Sequence, residues 1–338
     1  MSDTAILIAN YGTPRSAKKC DVRRYLRQLL DNRHVMTMNP VGRKLLVNCI
    51  IAPCRAKKSA ALYSRLDTIN GEMPLLAHTK DFCAKVQAVF NGKADVYFGM
   101  TAGDCLLKDV LKQIYERNYR RVIVVPMFPQ YTESTVVNII DGVFSFFAGK
   151  LSTPYIYIFP EFYSSPFYLE SMKILINNAL NGFELDKIIF SYHGVPLSHI
   201  DLAHKGKTCN DLDCKHLVSV QNSKCYLAQC FATTRLICNA LNISEEKAIT
   251  SFQSRFRDDW VQPSTDAVVR EEAKRGTKRI AVVTPSFTVD CLETTVEISD
   301  TLRQTFISCG GEEFRSVPCL NAEDFWVERF CAMISNVL

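Results

Sequence analysis

Short apolar runs rich in β-branched residues alternate along this chain with longer stretches in which apolar positions recur every three to four residues. The first kind predicts strands buried on both faces and the second predicts amphipathic helices, so the alternation reads as parallel sheets flanked by helices. Strands are expected at Ala5–Asn10, Asp95–Met100, Arg121–Val125 and Tyr155–Phe159, and again at Lys187–Tyr192, Ala248–Phe252, Arg279–Thr284 and Phe314–Val317. Helices are expected at Asp21–Leu30, Pro74–Phe90, Leu107–Asn118, Ser134–Phe147, Pro166–Leu180, Cys225–Leu241, Thr265–Arg275, Cys291–Ser308 and Ala322–Leu338. Four strands in each half predict an α/β chain of two similar doubly wound, Rossmann-like domains, each on a four-stranded parallel sheet. Pro and Ser cluster in KLSTPYIYIFPEFYSSP, which places the boundary there. The expected domains are residues 1–155 and 156–321, with the last helix, 322–338, packing on the first.

Composition narrows the class. At 338 residues the chain is long enough for two domains with real cores, and no low-complexity tract interrupts it. The net charge of +5 is spread out rather than gathered into a basic stripe, so nucleic acid is not implied. The start, MSDTAILIANYGTP, runs straight into a strand pattern without the basic and apolar regions of an export signal. No apolar run approaches the roughly 20 residues that span a bilayer. A cytoplasmic protein is expected, at most peripheral at the inner membrane. Oligomeric state is open between monomer and homodimer.

In open parallel sheets, chemistry collects beyond the carboxyl ends of the strands. The junctions there are NYGTP, VPMFPQYTEST, SYHGVP, SFQSRF and TPSFTVDCLET. None has the glycine spacing of a phosphate loop, so a nucleotide cofactor has no support. His193 follows KIIFSY and precedes Gly194 and Pro196, which end the strand in a turn. An imidazole at that edge can accept a proton or bind a borderline metal ion, or it can simply satisfy backbone groups of the turn. Asp290, Glu293 and Glu297 are spaced to fall within an arc of roughly 60° on one helical face. Facing solvent they would be an acidic stripe; facing a cleft they would need protons or a cation between them.

Six ordered segments together resemble the ferrochelatases: IANYGTP, PMFPQYTEST, FSYHGVP, SFQSRFRDDWVQPSTD, VVTPSFTVDCLETTVEI and VPCLN. The resemblance spans residues 5 to 330 and implies two doubly wound domains and insertion of Fe2+ into protoporphyrin IX, with coproporphyrin III as the alternative substrate. It further implies that His193 and Glu293 form the central pair and that Asp290 and Glu297 continue an acidic metal path. Tyr11, Gln130, Tyr131, Ser134, Arg255 and Trp260 would shape the porphyrin pocket. Thr101 and Ala102, Ser264, and Ser286 depart from the residues frequent in relatives. Two other readings compete: a tetrapyrrole or metal carrier on the same fold without turnover, and a Co2+ chelatase for a different macrocycle.

Of the 14 cysteines, most read as small hydrophobes within helix and strand patterns, Cys49, Cys83, Cys238 and Cys331 among them. Cys209, Cys214, Cys225 and Cys230 are different, lying in a C-x4-C-x10-C-x4-C arrangement across a polar loop and a helix start. The resemblance favours a 2Fe–2S cluster on these four, with zinc as the competitor and free thiols last. His204 and His216 read as exposed loop residues. Residues 39–66 mix a short apolar run with Arg43, Lys44, Arg55, Lys57 and Lys58, a pattern that suits an anionic membrane surface, while the resemblance implies a lip over the porphyrin pocket that touches only substrate.

Overall fold

Every position of β1 (Thr4–Asn10) is buried, as a strand covered by helices on both faces must be. In the computed structural model, which describes residues 2–254 and 259–338, β1 lies inside a parallel sheet with β2 (Asp95–Met100), β3 (Arg121–Pro126) and β4 (Tyr155–Ile158). The order is β2-β1-β3-β4. The same order recurs in the second half as β6-β5-β7-β8, built from β5 (Lys187–His193), β6 (Ala248–Gln253), β7 (Arg279–Val283) and β8 (Glu313–Ser316). The observed strands match the expected ones to within a residue or so at each end.

Helices α1 (Lys19–Leu30), α2 (Pro40–Leu45), α3 (Ala52–Tyr63), α4 (Pro74–Val89), α5 (Leu107–Glu116) and α6 (Asn138–Phe147) accompany the first sheet. Helices α7 (Pro166–Leu180), α8 (Leu197–Asp201), α9 (Tyr226–Leu241), α10 (Thr265–Lys274) and α11 (Arg303–Ser308) accompany the second, and α12 (Asp324–Ser335) closes the chain. One face of the first sheet packs Leu7, Ala9, Val122 and Val124 against Leu111, Ile114, Ile139 and Val143 of α5 and α6. In the second, Ile189, Ile280 and Val282 meet Val269, Ile298, Leu302 and Phe306. At roughly 1.5–3 kcal/mol for each such buried side chain, these layers are what hold the strands in register.

Two compact units result: Met1–Phe128 with Glu133–Glu161 and Asn321–Val327, and Pro129–Thr132 with Phe162–Leu320 and Glu328–Leu338. The boundary falls at Glu161 and Phe162, inside the stretch where Pro and Ser cluster. The C-terminal helix is shared at Val327 and Glu328 rather than assigned whole to the first unit.

Helices α2 and α3, joined by a π-helical segment at Leu46–Ile51, were not among the expected elements. Their start carries a recognisable signal, since the Asn39 side chain accepts from the Val41 N–H and Pro40 occupies the first turn. Their apolar residues gave no core-facing stripe because Val41, Leu45 and Ile50 point outward, 68%, 60% and 56% exposed.

Candidate active site and metal centre

The second sheet changes winding direction at β5, with β6 added on one side and β7 on the other, so the carboxyl ends of these strands form its topological switch point. His193 ends β5 and lies in register with Gln253, the last residue of β6. Three hydrogen bonds fix it. Its backbone N–H donates to Ser286 Oγ at 3.2 Å, its carbonyl accepts from the Tyr226 hydroxyl at 2.8 Å, and its Nδ1 lies 2.6 Å from the Gly194 carbonyl. A carbonyl can only accept, so Nδ1 carries the proton and the neutral ring keeps its lone pair on Nε2.

Gln253 connects this histidine to the acidic helix. Its Nε2 donates to the Glu293 carbonyl at 3.3 Å, while its Oε1 accepts from the buried Ser191 hydroxyl at 2.8 Å. His193 and the backbone of Glu293 are therefore both neighbours of one buried glutamine. The helix itself is not the regular α-helix expected: it is π-wound from Glu293 to Leu302 and becomes α-helical at Arg303. Extended π-winding is rare and concentrates at functional sites.

This changes the expected row of three carboxylates. Asp290 precedes the helix and is held by the turn: Thr294 Oγ1 donates to it at 2.8 Å, and the Cys319 N–H reaches both its oxygens at 3.3 Å. It ties the VPCLN segment to the helix start. Glu293 and Glu297 remain on the helix, four apart. Glu297 accepts from Ser254 Oγ at 2.5 Å, and burial, reinforced by the charge of Glu293, pushes its pKa up to about 7. Beside it opens a cleft of about 360 Å³ lined in part by Gln253, Ser254, Thr265, Asp266 and Thr301.

The residues expected at the porphyrin are distributed as follows. Tyr11 follows β1, with its carbonyl accepting from the Ala102 N–H and the Thr101 hydroxyl and its ring edge-on to Phe128. Gln130 is buried and donates to Thr233 Oγ1, and the Tyr131 N–H donates to Gln229 Oε1, so both are fastened to α9. Ser134 lies in the π-turn Glu133–Val137. Trp260 pairs in an antiparallel bridge with Pro196, just after His193. Arg255 lies outside the described residues.

At the cysteine-rich loop, Cys209, Cys214 and Cys225 converge, and the fourth member of the group is His204. His204 is 2% exposed, which corrects its reading as an exposed loop residue. His216 is the exposed one, paired with Asp213 at 2.7 Å. Cys230 is fully buried one turn along α9 and does not belong to the group; its thiol interacts with Tyr226. The Cys225 thiol is held below its usual range, first by its hydrogen bond with Cys209 and then by the Ala228 N–H and His204.

The ferrochelatase family model matches residues 3–338. The chain belongs to the ferrochelatase family. A ferrochelatase of Coxiella burnetii is 36% identical over 337 residues, covering 98% of this chain and 93% of the relative. One from Legionella pneumophila is 31% identical over 333 residues, with 98% of each chain covered. Among solved structures, the sirohydrochlorin chelatase SirB of Bacillus subtilis subspecies spizizenii, in complex with cobalt, is similar with a TM-score of 0.53. That likeness covers 99% of this chain and 95% of SirB at 10% identity, and it concerns the fold alone. Both sheets of this ferrochelatase-family chain fit the doubly wound architecture expected for it.

Several contributors escaped sequence reasoning. Gln253 and Ser254 sit inside the SFQSRF motif, but nothing in the sequence singles them out from their neighbours. Ser286 stood out only as a departure from the glycine frequent in relatives, yet it supplies the acceptor for the His193 N–H. Tyr226 and His204 act across the fold, and no local signal marks them.

Proposed function

We infer that this chain is a ferrochelatase whose reaction runs at His193 and Glu293: Fe2+ enters a porphyrin, protoporphyrin IX on the closest reading of its motifs, and two pyrrole protons leave. The observation that carries the reading is the tautomer of His193. With Nδ1–H engaged by Gly194, Nε2 is a free base at a strand end, and Gln253 links the same position to Glu293. An imidazole nitrogen with a free lone pair can accept a proton in general-base catalysis.

The steps follow from these groups. Nε2 of His193 accepts a pyrrole proton as the ring nitrogen turns to the metal. Glu293 offers a carboxylate to the incoming ion or to the second proton. Glu297, with its pKa pushed up to about 7, exchanges protons at neutral pH and passes them toward the cleft beside it. A nitrogen and oxygen donor set also suits a metal that must be released again, since it holds Fe2+ less tightly than thiolates would. A pocket that binds a bent macrocycle better than a flat one would lower the barrier further.

The experiment is replacement of each residue by Ala. His193→Ala and Glu293→Ala should each lower the metallation rate by about 10²–10⁴-fold while porphyrin still binds, as read by absorption titration. Unchanged rates would remove the assignment, and a chain that binds porphyrin without turnover in the native form would be a carrier. Parallel assays with Fe2+ and Co2+, and with protoporphyrin IX and coproporphyrin III, decide the substrate pair.

Two finer readings belong here. A 2Fe–2S cluster on the four cysteines would need Cys230 as its last ligand, and Cys230 is engaged with Tyr226 instead. Peripheral membrane contact through residues 39–66 is supported by outward Val41, Leu45 and Ile50 on a segment that also carries Lys44, Arg55, Lys57 and Lys58. No helix among the described residues is long and apolar enough to cross a membrane.

A further inference from the structure

Between α8 and α9 the chain runs from Leu202 to Cys225 without helix or strand. Irregular segments beyond about 12–15 residues are uncommon in compact domains unless something holds them. Part of the answer is Asn222, fully buried, which donates to the carbonyls of Leu212 and Leu217 and accepts from the Ser219 N–H. The rest is the group of His204, Cys209, Cys214 and Cys225, whose ligand atoms all lie within 4.8 Å of one another.

The separations discriminate between kinds of centre. His204 Nε2 is 3.5 Å from Cys214 Sγ and 3.8 Å from Cys209 Sγ, and Cys209 Sγ is 3.9 Å from Cys225 Sγ. Ligands placed tetrahedrally around one zinc at about 2.3 Å for sulfur and about 2.0–2.1 Å for nitrogen stand about 3.8 Å apart for two sulfurs and about 3.5 Å apart for sulfur and nitrogen. These three spacings agree, and every other pair lies within 4.8 Å. A two-iron cluster divides its four protein ligands between two metal ions, so ligands on opposite irons stand farther apart than one coordination sphere allows.

We propose that this loop holds a single Zn2+ on the sulfurs of Cys209, Cys214 and Cys225 and on Nε2 of His204, with Cys230 outside the coordination sphere. Three features support the assignment. Nδ1 of His204 has no hydrogen-bond partner among the described residues, and the polar contacts of this buried ring run from Nε2 to the sulfurs of Cys209 and Cys214. Asn222 Nδ2 lies 3.4 Å from Cys214 Sγ, so one of the two N–H groups that reach the Leu212 and Leu217 carbonyls is shared with, or turns to, a metal-bound thiolate there. The site is closed, with four protein ligands and no open position, which makes it structural: on binding, the thiols lose their protons and the loop gains a rigid core. It goes beyond the metallation reading above and does not depend on it.

The test uses the full chain purified without oxygen from iron-replete cells and dialysed against a weak chelator. Metal and acid-labile sulfide are then measured. Expected are one zinc per chain, no sulfide and no visible chromophore. His204→Ala should lower retained zinc about tenfold, whereas Cys230→Ser should leave it unchanged. Should Cys230→Ser fail to fold, loading the native chain with Co2+ gives an independent readout: intense visible bands of four-coordinate cobalt with thiolate charge transfer, lost in His204→Ala. Two irons and two sulfides per chain overturn the proposal, as does metal-free protein or zinc retained in His204→Ala. Metallation assays on the same preparations separate the two readings, because an inactive but zinc-loaded chain refutes the His193 assignment alone.

Discussion

At the scale of single residues, one glutamine organises the candidate active site. Gln253 occupies the register position opposite His193, and its amide reaches the Glu293 carbonyl, so a base and an acid from distant parts of the chain share one buried neighbour. Ser286 and Tyr226 fix the His193 backbone from two further elements. Glu297 shows what the environment does to a carboxylate, since burial and the Glu293 charge favour its protonated form. Its folded pKa lies above the ordinary carboxylate range, so the stability it contributes is fully present within and below that range and is lost as pH rises through about 7. Glu297→Gln should therefore melt higher than the native chain at pH 8, with the difference vanishing toward pH 4. An equal difference at both pH values, measured by thermal denaturation, would show that Glu297 is not the titrating group.

At the scale of elements, the turns after strands carry constraints that helices and strands do not. Gly12 has φ +104, and a Cβ there would lie 1.9 Å from the Ala102 carbonyl oxygen. Gly103, with φ +92, faces the Thr13 carbonyl in the same way. The turns after β1 and β2 thus close on each other through two glycines, and this mutual contact sets the backbone that carries Tyr11. Gly12→Ala combines a backbone clash with a disfavoured φ and should cost about 1–3 kcal/mol or more. Chemical denaturation reads that loss directly, and a variant as stable as the native chain would mean the turns can separate freely. The π-winding at Glu293 is the other element-scale decision. Asp290 precedes the helix while Glu293 and Glu297 lie on its π-wound stretch, a winding that hydrophobic periodicity cannot anticipate because α and π windings share the same local composition.

At the scale of the whole molecule, one topology is used twice, and each copy places its first strand inside the sheet with its carboxyl end at the switch point. That repetition is why Tyr11 and His193 occupy comparable junctions in the two units. The outward apolar residues of α2 and the following segment suggest a use beyond the sheets. The chain should cosediment with vesicles containing anionic lipid, and replacing Val41, Leu45 and Ile50 together by Ser should abolish this without reducing metallation of a soluble porphyrin. No cosedimentation of the native chain sinks the membrane reading.

The amino-acid sequence alone determined the strands, most helices, the doubling of the fold and the family, because apolar periodicity and ordered junction motifs are local and survive in linear form. It also singled out His193, Glu293 and three of the four converging loop residues as candidates for chemistry. What only the tertiary structure decided depends on side chains meeting once the chain has folded: the fastening of the His193 backbone by Ser286 and Tyr226, the union of Gln253 with Glu293, the anchoring of Asp290 by Cys319, and the choice of His204 over Cys230 in the loop. Spacing shows which residue types could bind a metal. Which of them do is set by the direction each side chain takes once the backbone has packed.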